Sequence, residues 1–197
     1  MEPRVNTSMK LWLVRHAETE WSVALRHTGL TDVPLTEAGR EHARRLRPAL
    51  AAEDFALVLS SPLSRARDTA EIAGFGARCE LRDELVEWKY GAYEGMTTAE
   101  IRESRPGWTV WQEGALDGES PEEIGARVDR VIAEARAVDG DVVCFAHGHV
   151  LRVLGARWVD QPASFGARLA LATGAVCVLG FERDTPVVWR WNDVPTA

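Results

Sequence analysis

LWLVRHAETE, residues 11–20, is the stretch that decides the fold class. Its first four residues are apolar, and Arg15 and His16 follow directly. A short apolar run without alternation predicts a strand that is buried on both faces, as in the sheets of α/β proteins. A buried strand that ends on a cation and an imidazole also predicts a ligand site, because ligands of open α/β sheets bind beyond the carboxyl ends of the strands.

Similar apolar runs recur along the chain and alternate with helical patterns. They predict strands at residues 10–15, 56–60, 141–146, 175–181 and 187–191, with a weaker one near 79–82. Helical patterns cover about 36–51, 62–73, 121–139 and 149–158. Strands that alternate with helices predict an α/β fold: a three-layer αβα sandwich with a mainly parallel central sheet and helices on both faces.

Three capping signals predict where helices begin. Thr36 can cap the helix that runs to about residue 51, and Ser61 precedes a proline at a first helical position. Ser120 and Glu123 have the spacing of a capping box. Apolar residues then repeat with a helical period until Gly140, which predicts the end of that helix.

Length and charge limit the classes of protein. The 197 residues, 46% of them hydrophobic, suit one domain over residues 1–197, with residues 1–9 as a flexible N-terminal extension. A net charge of −7 without a basic run disfavours a nucleic-acid partner. A small anionic ligand stays compatible, because a few local arginines outweigh the net charge.

The cysteines and the N-terminus indicate the compartment. Cys79, Cys144 and Cys177 are far apart and odd in number, which predicts no disulfide framework and no zinc site. The first ten residues lack the apolar stretch of a signal peptide, and the run at 11–14 is too short to span a membrane. We expect a cytoplasmic protein, monomeric or homodimeric, with no cofactor, no metal and no membrane partner.

Two arginines and two histidines are predicted to converge at strand ends. Arg15 and His16 end the first strand, Arg65 lies in the first turn of the helix after 56–60, and His147 ends 141–146. Arginine presents a planar fork of donors that matches phosphate oxygens. Neutral imidazole is a nucleophile with a pKa near the working pH. The four residues therefore predict a phosphate site with a nucleophilic histidine.

Six stretches resemble the histidine phosphatase superfamily, whose relatives include the cofactor-dependent phosphoglycerate mutases. They follow the family's order and reach from the first strand to residue 152. The stretches are LVRHAETEW, HTGLTDVPLTEAG, SSPLSRARDTA, EWKYGAYEG, DGES and FAHGHVLR.

The resemblance implies a role for each matching position. His16 matches the histidine that is transiently phosphorylated, and Arg15 and Arg65 match arginines that clamp the phosphate. His147 matches the second histidine of the phosphate pocket. Glu87 matches the carboxylic acid that protonates the leaving alcohol and later helps to activate water.

The resemblance also implies further phosphate ligands. Thr28 and Gly29 lie in the stretch that matches a loop over the phosphate, where they would offer backbone N–H groups or a hydroxyl. Gly148 would donate a backbone N–H group beside His147. Ser22 stands where the family often has an asparagine and is a shorter donor.

Several residues keep two interpretations. His27 contacts the ligand or packs within the loop. His149 forms an HxH pair with His147, which we do not interpret as a metal site because no carboxylate or cysteine with ligand spacing accompanies it. Arg102 and Arg105 hold a second phosphate or are solvated helix charges. Six aromatic residues wall the leaving-group side or pack in the core: Trp21, Trp88, Tyr90, Tyr93, Trp108 and Trp111.

The resemblance implies a phosphomonoester hydrolase that acts through a phosphohistidine on a small phosphorylated metabolite, either a sugar phosphate or the range of an acid phosphatase. A phosphoglycerate mutase-type phosphotransferase is the alternative. Mutases of this family carry a longer segment with paired arginines, which the segment from Gly91 to Gly148 lacks. A non-catalytic member that only binds phosphorylated ligands is a further alternative, which the intact set of catalytic residues disfavours.

Overall fold

Six strands form one mainly parallel sheet. The computed structural model describes residues 7–195. The strands are β1 (Leu11–Arg15), β2 (Phe55–Ser60), β3 (Cys79–Leu81), β4 (Asp141–Ala146), β5 (Val176–Glu182) and β6 (Thr185–Asp193). Their order in the sheet is β3-β2-β4-β1-β5-β6. The strands β3, β2, β4 and β1 are parallel to one another. β5 runs antiparallel to β1, and β6 runs antiparallel to β5.

Seven α-helices are present in the described residues. They are α1 (Glu20–Val23), α2 (Glu37–Ala51), α3 (Ser64–Ile72), α4 (Thr98–Ser104), α5 (Val110–Glu113), α6 (Pro121–Arg136) and α7 (Gly148–Trp158). Short 3-10 turns lie at Gly76–Arg78, Asp83–Leu85, Gly91–Tyr93 and Ala163–Arg168.

Helices cover both faces of the central strands. Along β1, Trp12 and Val14 pack in one cluster with residues of α2 and α3. Leu11 and Leu13 point the other way and pack in a second cluster with residues of α6 and α7. Because successive side chains of a strand point to opposite faces, this continuous apolar run fills both layers. The prediction of an αβα sandwich is confirmed.

The last strand departs from the prediction. Residues 187–191 were expected to be buried on both faces, but Trp189 is 58% exposed and Val188 is 38% exposed. β6 lies at the edge of the sheet, with β5 as its one strand neighbour. The apolar pattern was interpreted correctly as a strand and wrongly as an interior one.

Two of the three predicted helix caps are confirmed. Thr36 Oγ1 accepts from the backbone N–H of Gly39, and Ser120 and Glu123 form the predicted capping box at the start of α6. That helix ends at Arg136, one turn before the glycine that was expected to end it.

The cap predicted at Ser61 is wrong. α3 begins at Ser64, and its N-cap residue offers no side-chain hydrogen bond. The carboxylate of Asp32 caps this helix instead, since Oδ1 accepts from both the backbone N–H and the hydroxyl of Ser64 at 2.8 Å. The Ser61 hydroxyl lies 2.7 Å from His147 Nε2 and belongs to the site described below.

The N-terminal segment enters the core earlier than expected. Met9, assigned to a flexible extension over residues 1–9, is 1% exposed and packs in the larger core cluster. Residues 1–6 of that extension lie outside the described residues. Within residues 7–195, no helix combines the length and the hydropathy that a membrane crossing requires.

Candidate active site

Three strand ends bring His16, Arg65 and His147 together. β1 and β4 are parallel neighbours with Arg15 opposite Ala146, so the residues that follow these strands, His16 and His147, lie side by side. Their ring centroids are 5.2 Å apart. β2, on the other side of β4, leads into α3, whose second residue is Arg65. Residues distant in sequence converge here because the carboxyl ends of parallel strands share one edge of the sheet.

The His16 ring has a defined tautomer. Nδ1 lies 2.7 Å from the carbonyl oxygen of Ala17. A carbonyl only accepts, so Nδ1 carries the proton and the lone pair of Nε2 is free. Burial, followed by the charges of Arg15 and Arg65, lowers the pKa of His16 well below its ordinary value. The imidazole is therefore neutral at pH 7, which is the nucleophilic form.

The fully buried guanidinium of Arg65 joins two parts of the site. Its Nε donates to Nδ1 of His147 at 3.0 Å. Nη1 donates to the carbonyl of Thr31 at 2.9 Å, and Nη2 donates to the carbonyls of Thr28 and Gly29 at 3.2 and 2.9 Å. Arg65 thus places a positive charge beside the histidines and fixes the loop over residues 28–31.

His147 is fully buried between two partners. Because Nδ1 accepts from Arg65, the ring proton lies on Nε2, which donates to the Ser61 hydroxyl at 2.7 Å. Burial lowers the pKa of His147 well below its ordinary value, and the charge of Arg65 adds to this shift. His147 is therefore a neutral ring with a fixed orientation.

Arg15 lies at a cavity of about 330 Å³ that His16 also lines. Its Nη1 donates to the carbonyl of Leu171 at 2.5 Å, whereas its buried Nε has no hydrogen-bond partner in the described chain. No carboxylate of residues 7–195 forms an ion pair with Arg15 or Arg65. One buried and one partly buried cation, without ion-pair partners and beside a neutral histidine, form a site that favours an anion.

The N-terminus of α7 holds the Glu87 carboxylate at the cavity. Oε1 accepts from the backbone N–H groups of Trp88 and Val150 at 2.9 and 2.8 Å, and Oε2 accepts from that of His149 at 2.9 Å. The first N–H groups of a helix lack intrahelical partners, and the helix dipole attracts a negative charge there. Oε2 accepts one of these bonds and Oε1 accepts two, so Oε2 keeps the larger free hydrogen-bonding capacity.

A buried ion pair supports the segment that carries Glu87. Glu119 and Arg127 form two parallel hydrogen bonds of 2.9 Å. Arg127 also donates to the carbonyl of Val86 at 2.8 Å, and Glu119 accepts from the backbone N–H of Lys89 at 2.9 Å. Glu119 lies in the matching stretch DGES, but neither residue of the pair was predicted to have a role.

The loop predicted to close over the phosphate is held by protein atoms. The Gly29 and Thr31 N–H groups donate to Glu94 Oε1 at 2.8 and 3.1 Å. The Thr28 hydroxyl donates to the carbonyl of Arg26 at 3.1 Å. Thr28 lines the cavity, whereas the Gly29 N–H group is directed at Glu94.

Two further predicted ligands line the cavity in different ways. The Ser22 hydroxyl donates to the carbonyl of Thr19 at 2.8 Å. It also accepts from the Thr19 N–H group at 2.9 Å, which is one half of the capping box of α1. Gly148 begins α7, where backbone N–H groups favour an anion. A Cβ at Gly148 would lie 3.3 Å from Arg15 Cζ, so glycine permits this close approach.

Neutral rings form the other wall of the cavity. His27, Tyr90 and His149 all line it. Burial lowers the pKa of His27 to about 4 and that of His149 well below its ordinary value. Although His149 Nδ1 lies 3.9 Å from Glu87 Oε2, the neutral ring makes no ion pair there. Of the other aromatic candidates, four pack in the core cluster: Trp88, Tyr93, Trp108 and Trp111.

The arginines proposed for a second phosphate are bound elsewhere. Arg102 Nε donates to a backbone carbonyl at 2.9 Å, and Arg105 forms an ion pair with Glu113 at 2.6 Å. Arg26 and Arg152 line the cavity instead. Neither of these two arginines was predicted to belong to the site. Within residues 7–195, no group of three or more His, Cys, Asp and Glu side chains is arranged to hold a metal ion.

Comparisons with known proteins show the family of this chain. A sequence model of the histidine phosphatase superfamily (branch 1) matches residues 11–194. An acid phosphatase of Mycobacterium tuberculosis is 43% identical over 178 residues, 88% of this chain and 87% of the relative. Sedoheptulose 1,7-bisphosphatase of Saccharomyces cerevisiae is 37% identical over 180 residues, 74% of this chain and 66% of the relative. The structure of open reading frame Rv3214 of M. tuberculosis superposes with a TM-score of 0.90 at 38% identity, covering 95% of this chain and 99% of that one.

The strand-end histidines, the arginines beside them and the carboxylate at the helix N-terminus all lie within the residues that the family model matches. The chain belongs to the histidine phosphatase superfamily. Within that family it is a phosphatase, a hydrolase of phosphomonoesters, and a mutase is the less supported alternative.

Proposed function

We propose that this protein hydrolyses small phosphorylated metabolites, sugar phosphates among them, through a phosphohistidine on His16. One observation carries the proposal: the hydrogen bond from His16 Nδ1 to a backbone carbonyl leaves Nε2 as a free nucleophile at the cavity. Arg15 and Arg65 supply the positive charge that stabilises phosphoryl transfer.

In the first step, the Nε2 lone pair of His16 attacks phosphorus and the ester P–O bond breaks. A proton on Glu87 Oε2 passes to the departing oxygen, so that a neutral alcohol leaves. The position of Glu87 at the cavity supports this role, and the three backbone N–H groups fix the orientation of its carboxyl group. His147, neutral and fixed by Arg65, would donate from Nε2 to the transferring group once Ser61 releases it.

In the second step, the Glu87 carboxylate takes a proton from water as the water oxygen attacks phosphorus. The N–P bond breaks, phosphate leaves and His16 returns to its neutral form. The same carboxyl group thus acts first as an acid and then as a base. His16 and Glu87 both return to their starting forms after one turnover.

The remaining phosphate ligands differ in how ready they are. Gly148 is the first residue of a helix beside Arg15, a position from which a backbone N–H group would donate to an anion without rearrangement. Ser22 and Thr28 would each have to release a backbone carbonyl before donating to a phosphate oxygen. Gly29 would have to leave Glu94, and we assign it mainly to the packing of the loop.

The substrate class is inferred from the cavity and from the relatives. A space of about 330 Å³ with polar and aromatic walls suits a small metabolite. The names of the relatives, an acid phosphatase and a sugar bisphosphatase, point to the same range of substrates. We also infer a cytoplasmic, metal-independent enzyme, which the three free cysteines and the arginine-rich site support.

Phosphate release from p-nitrophenyl phosphate and a panel of sugar phosphates tests the proposal. Rapid quench with a labelled ester should trap an acid-labile, base-stable phosphoenzyme that is absent from His16→Ala. His42→Gln, on α2 and outside the cavity, is the matched control and should keep the phosphoenzyme. Hydrolysis by His16→Ala at the wild-type rate would show that the nucleophile is another residue.

A further inference from the structure

His149, the second histidine of the HxH pair, has no role in the chemistry above but lies beside it. Its backbone N–H donates to the proposed acid Glu87, and its ring lines the cavity. The ring packs among aromatic side chains, with its centroid 4.9 Å from that of Trp111 and 5.8 Å from that of Tyr90. His149 therefore faces the region where the alcohol part of a phosphomonoester would lie.

The hydroxyl of Tyr90 determines which ring nitrogen of His149 carries the proton. The two groups meet at 2.6 Å, at Nδ1 of the ring. Burial raises the pKa of Tyr90 well above its ordinary value, and Glu87 and Glu94 add to this shift, so the phenol keeps its proton. Tyr90 is 1% exposed, and its buried O–H group needs an acceptor, which Nδ1 provides. The neutral ring of His149 then carries its own proton on Nε2.

The Nε2–H group of His149 has no acceptor in the described chain, and its ring lines the cavity. Three side-chain atoms of the described chain are buried from solvent and lack a hydrogen-bond partner: Arg15 Nε, His42 Nε2 and Arg136 Nε. His149 Nε2 is not among them. This N–H group has no hydrogen-bond acceptor and is not buried from solvent, and its ring lines the cavity. It is therefore available to a ligand.

We propose that His149 donates from Nε2 to a hydroxyl oxygen of the substrate's alcohol part, and that Tyr90 holds the ring in the tautomer that can do so. Tyr90 is thus a positioning residue, and His149 is a specificity-determining residue. The ligand class is a polyol or sugar phosphate, as opposed to an alkyl phosphate without a free hydroxyl. The inference rests on the proposed function, since it takes the phosphate group to lie at His16.

The physical reason for selectivity is the cost of an unpaired donor. An alkyl chain in this part of the cavity would remove water from the Nε2–H group and offer no acceptor. Sites built to hydrogen-bond a substrate hydroxyl discriminate strongly against the analogue that lacks it. We therefore expect a preference of about tenfold or more for the hydroxylated ligand.

Two ligands of equal chain length test the inference: glycerol 3-phosphate and n-propyl phosphate. Their binding is measured by calorimetry in the His16→Ala background, so that the result does not depend on turnover. The protein with Tyr90 and His149 intact should bind glycerol 3-phosphate about tenfold tighter or more. His149→Phe should bind both ligands alike, and Tyr90→Phe should retain an intermediate preference because its ring is free to change tautomer.

Tyr93→Phe is the matched control. Its hydroxyl accepts from Arg105 at 3.3 Å, and its ring packs on Trp108 within the core. It should leave the ratio of the two dissociation constants unchanged. A ratio near one in the parent protein, a ratio that survives in His149→Phe, or an equal loss in Tyr93→Phe would each overturn the inference.

Failure of the proposed function has a different signature. If the protein with His16 intact releases no phosphate from any ester, the proposed function is wrong. The binding ratio then still supports or overturns the role of His149, because it is measured without catalysis.

Discussion

Arg65 Nε donates to Nδ1 of His147 at 3.0 Å, and this one bond determines where the His147 proton lies. An arginine nitrogen only donates, so the histidine presents its N–H group on Nε2. The remaining bonds of Arg65 fix the loop over residues 28–31. One side chain therefore sets the charge, the tautomer and the loop of the proposed phosphate pocket.

Arg65→Lys keeps the charge and removes the fork of donors. We expect kcat/KM for p-nitrophenyl phosphate to fall roughly a hundredfold, as for the loss of a preorganised donor. The expected cause is the loss of orientation in His147 and in the loop. Arg67→Lys, an exposed position on the same helix, is the matched control and should keep full activity. Equal activity of both variants would contradict the assigned role of Arg65.

Glu87→Gln should have an effect that depends on the leaving group. An alkyl phosphate releases a basic alkoxide that needs a proton as the bond breaks, whereas p-nitrophenolate leaves without one. We expect the phosphorylation step to slow on the order of a hundredfold more for a sugar phosphate than for p-nitrophenyl phosphate. Burst kinetics separates this step from dephosphorylation.

The control for that experiment is Glu84→Gln. Glu84 lies three residues earlier, and its carboxylate is paired with Arg130 at 3.4 Å. Glu84→Gln should leave the rate of the phosphorylation step unchanged for both substrates. If Glu87→Gln slows phosphorylation by both substrates equally, Glu87 positions other groups and the proton comes from elsewhere.

Breaking the buried pair of Glu119 and Arg127 should destabilise the protein and displace Glu87. We expect Glu119→Leu to lower the free energy of unfolding by about 3–5 kcal/mol, because it leaves the Arg127 guanidinium buried without a counter-charge. Replacing both residues with Leu and Met should cost less than the single change. Urea unfolding with CD detection measures the difference, and a more stable single variant would disprove the structural role.

Chelation should not affect activity. In the proposed mechanism Arg15, Arg65 and neutral histidines supply what a metal would otherwise supply, so dialysis against EDTA should leave kcat unchanged. The measurement is phosphate release before and after dialysis, with metal content determined in parallel. Loss of activity that Mg²⁺ or Zn²⁺ restores would show that a metal takes part.

Stability should fall as the pH falls below neutral. Burial lowers the pKa of His16, His27, His147 and His149, so these rings are neutral when folded but take up protons near pH 6.5 when unfolded. Between the unfolded value and the folded one, which is about 4 for His27, the unfolded state binds more protons. Each ring then contributes a loss of roughly 1.4 kcal/mol per pH unit in that window.

Urea unfolding at several pH values between 7 and 5 checks this slope. His27→Gln removes one such group and should reduce the slope by about one proton's worth, roughly 1.4 kcal/mol per pH unit. An identical slope in the variant would show that His27 titrates in the same way when folded and unfolded.

The sequence predicted the central sheet because its strands are buried on both faces and therefore read as continuous apolar runs. The same signal could not distinguish β6 from an interior strand, since an edge position depends on which strands pair and not on the strand's own residues. The cap of α3 was missed for a related reason. Its carboxylate comes from Asp32, in a loop that precedes β2 along the chain.

Strand ends and the resemblance predicted the candidate catalytic residues, but these two signals did not identify every residue that lines the cavity. Arg152 lies in α7 and Arg26 follows α1, where no strand end marks them. Tyr90 and His149 meet only because the loop after Glu87 folds against the start of α7. The buried pair had one local signal: Arg127 interrupts the apolar face of α6, and an arginine there needs a buried partner.

The loop at residues 28–31 is held in place by hydrogen bonds to its backbone peptide groups. Its carbonyls accept from Arg65, and two of its N–H groups donate to Glu94. Peptide groups are common to all residue types, so these hydrogen bonds do not depend on the side chains that face the alcohol part of the substrate. The half of the cavity that would handle the phosphate can therefore stay constant while the opposite wall is exchanged. In engineering terms, substitutions at His27, Thr98 or His149 should redirect the choice of alcohol without rebuilding the reactive centre.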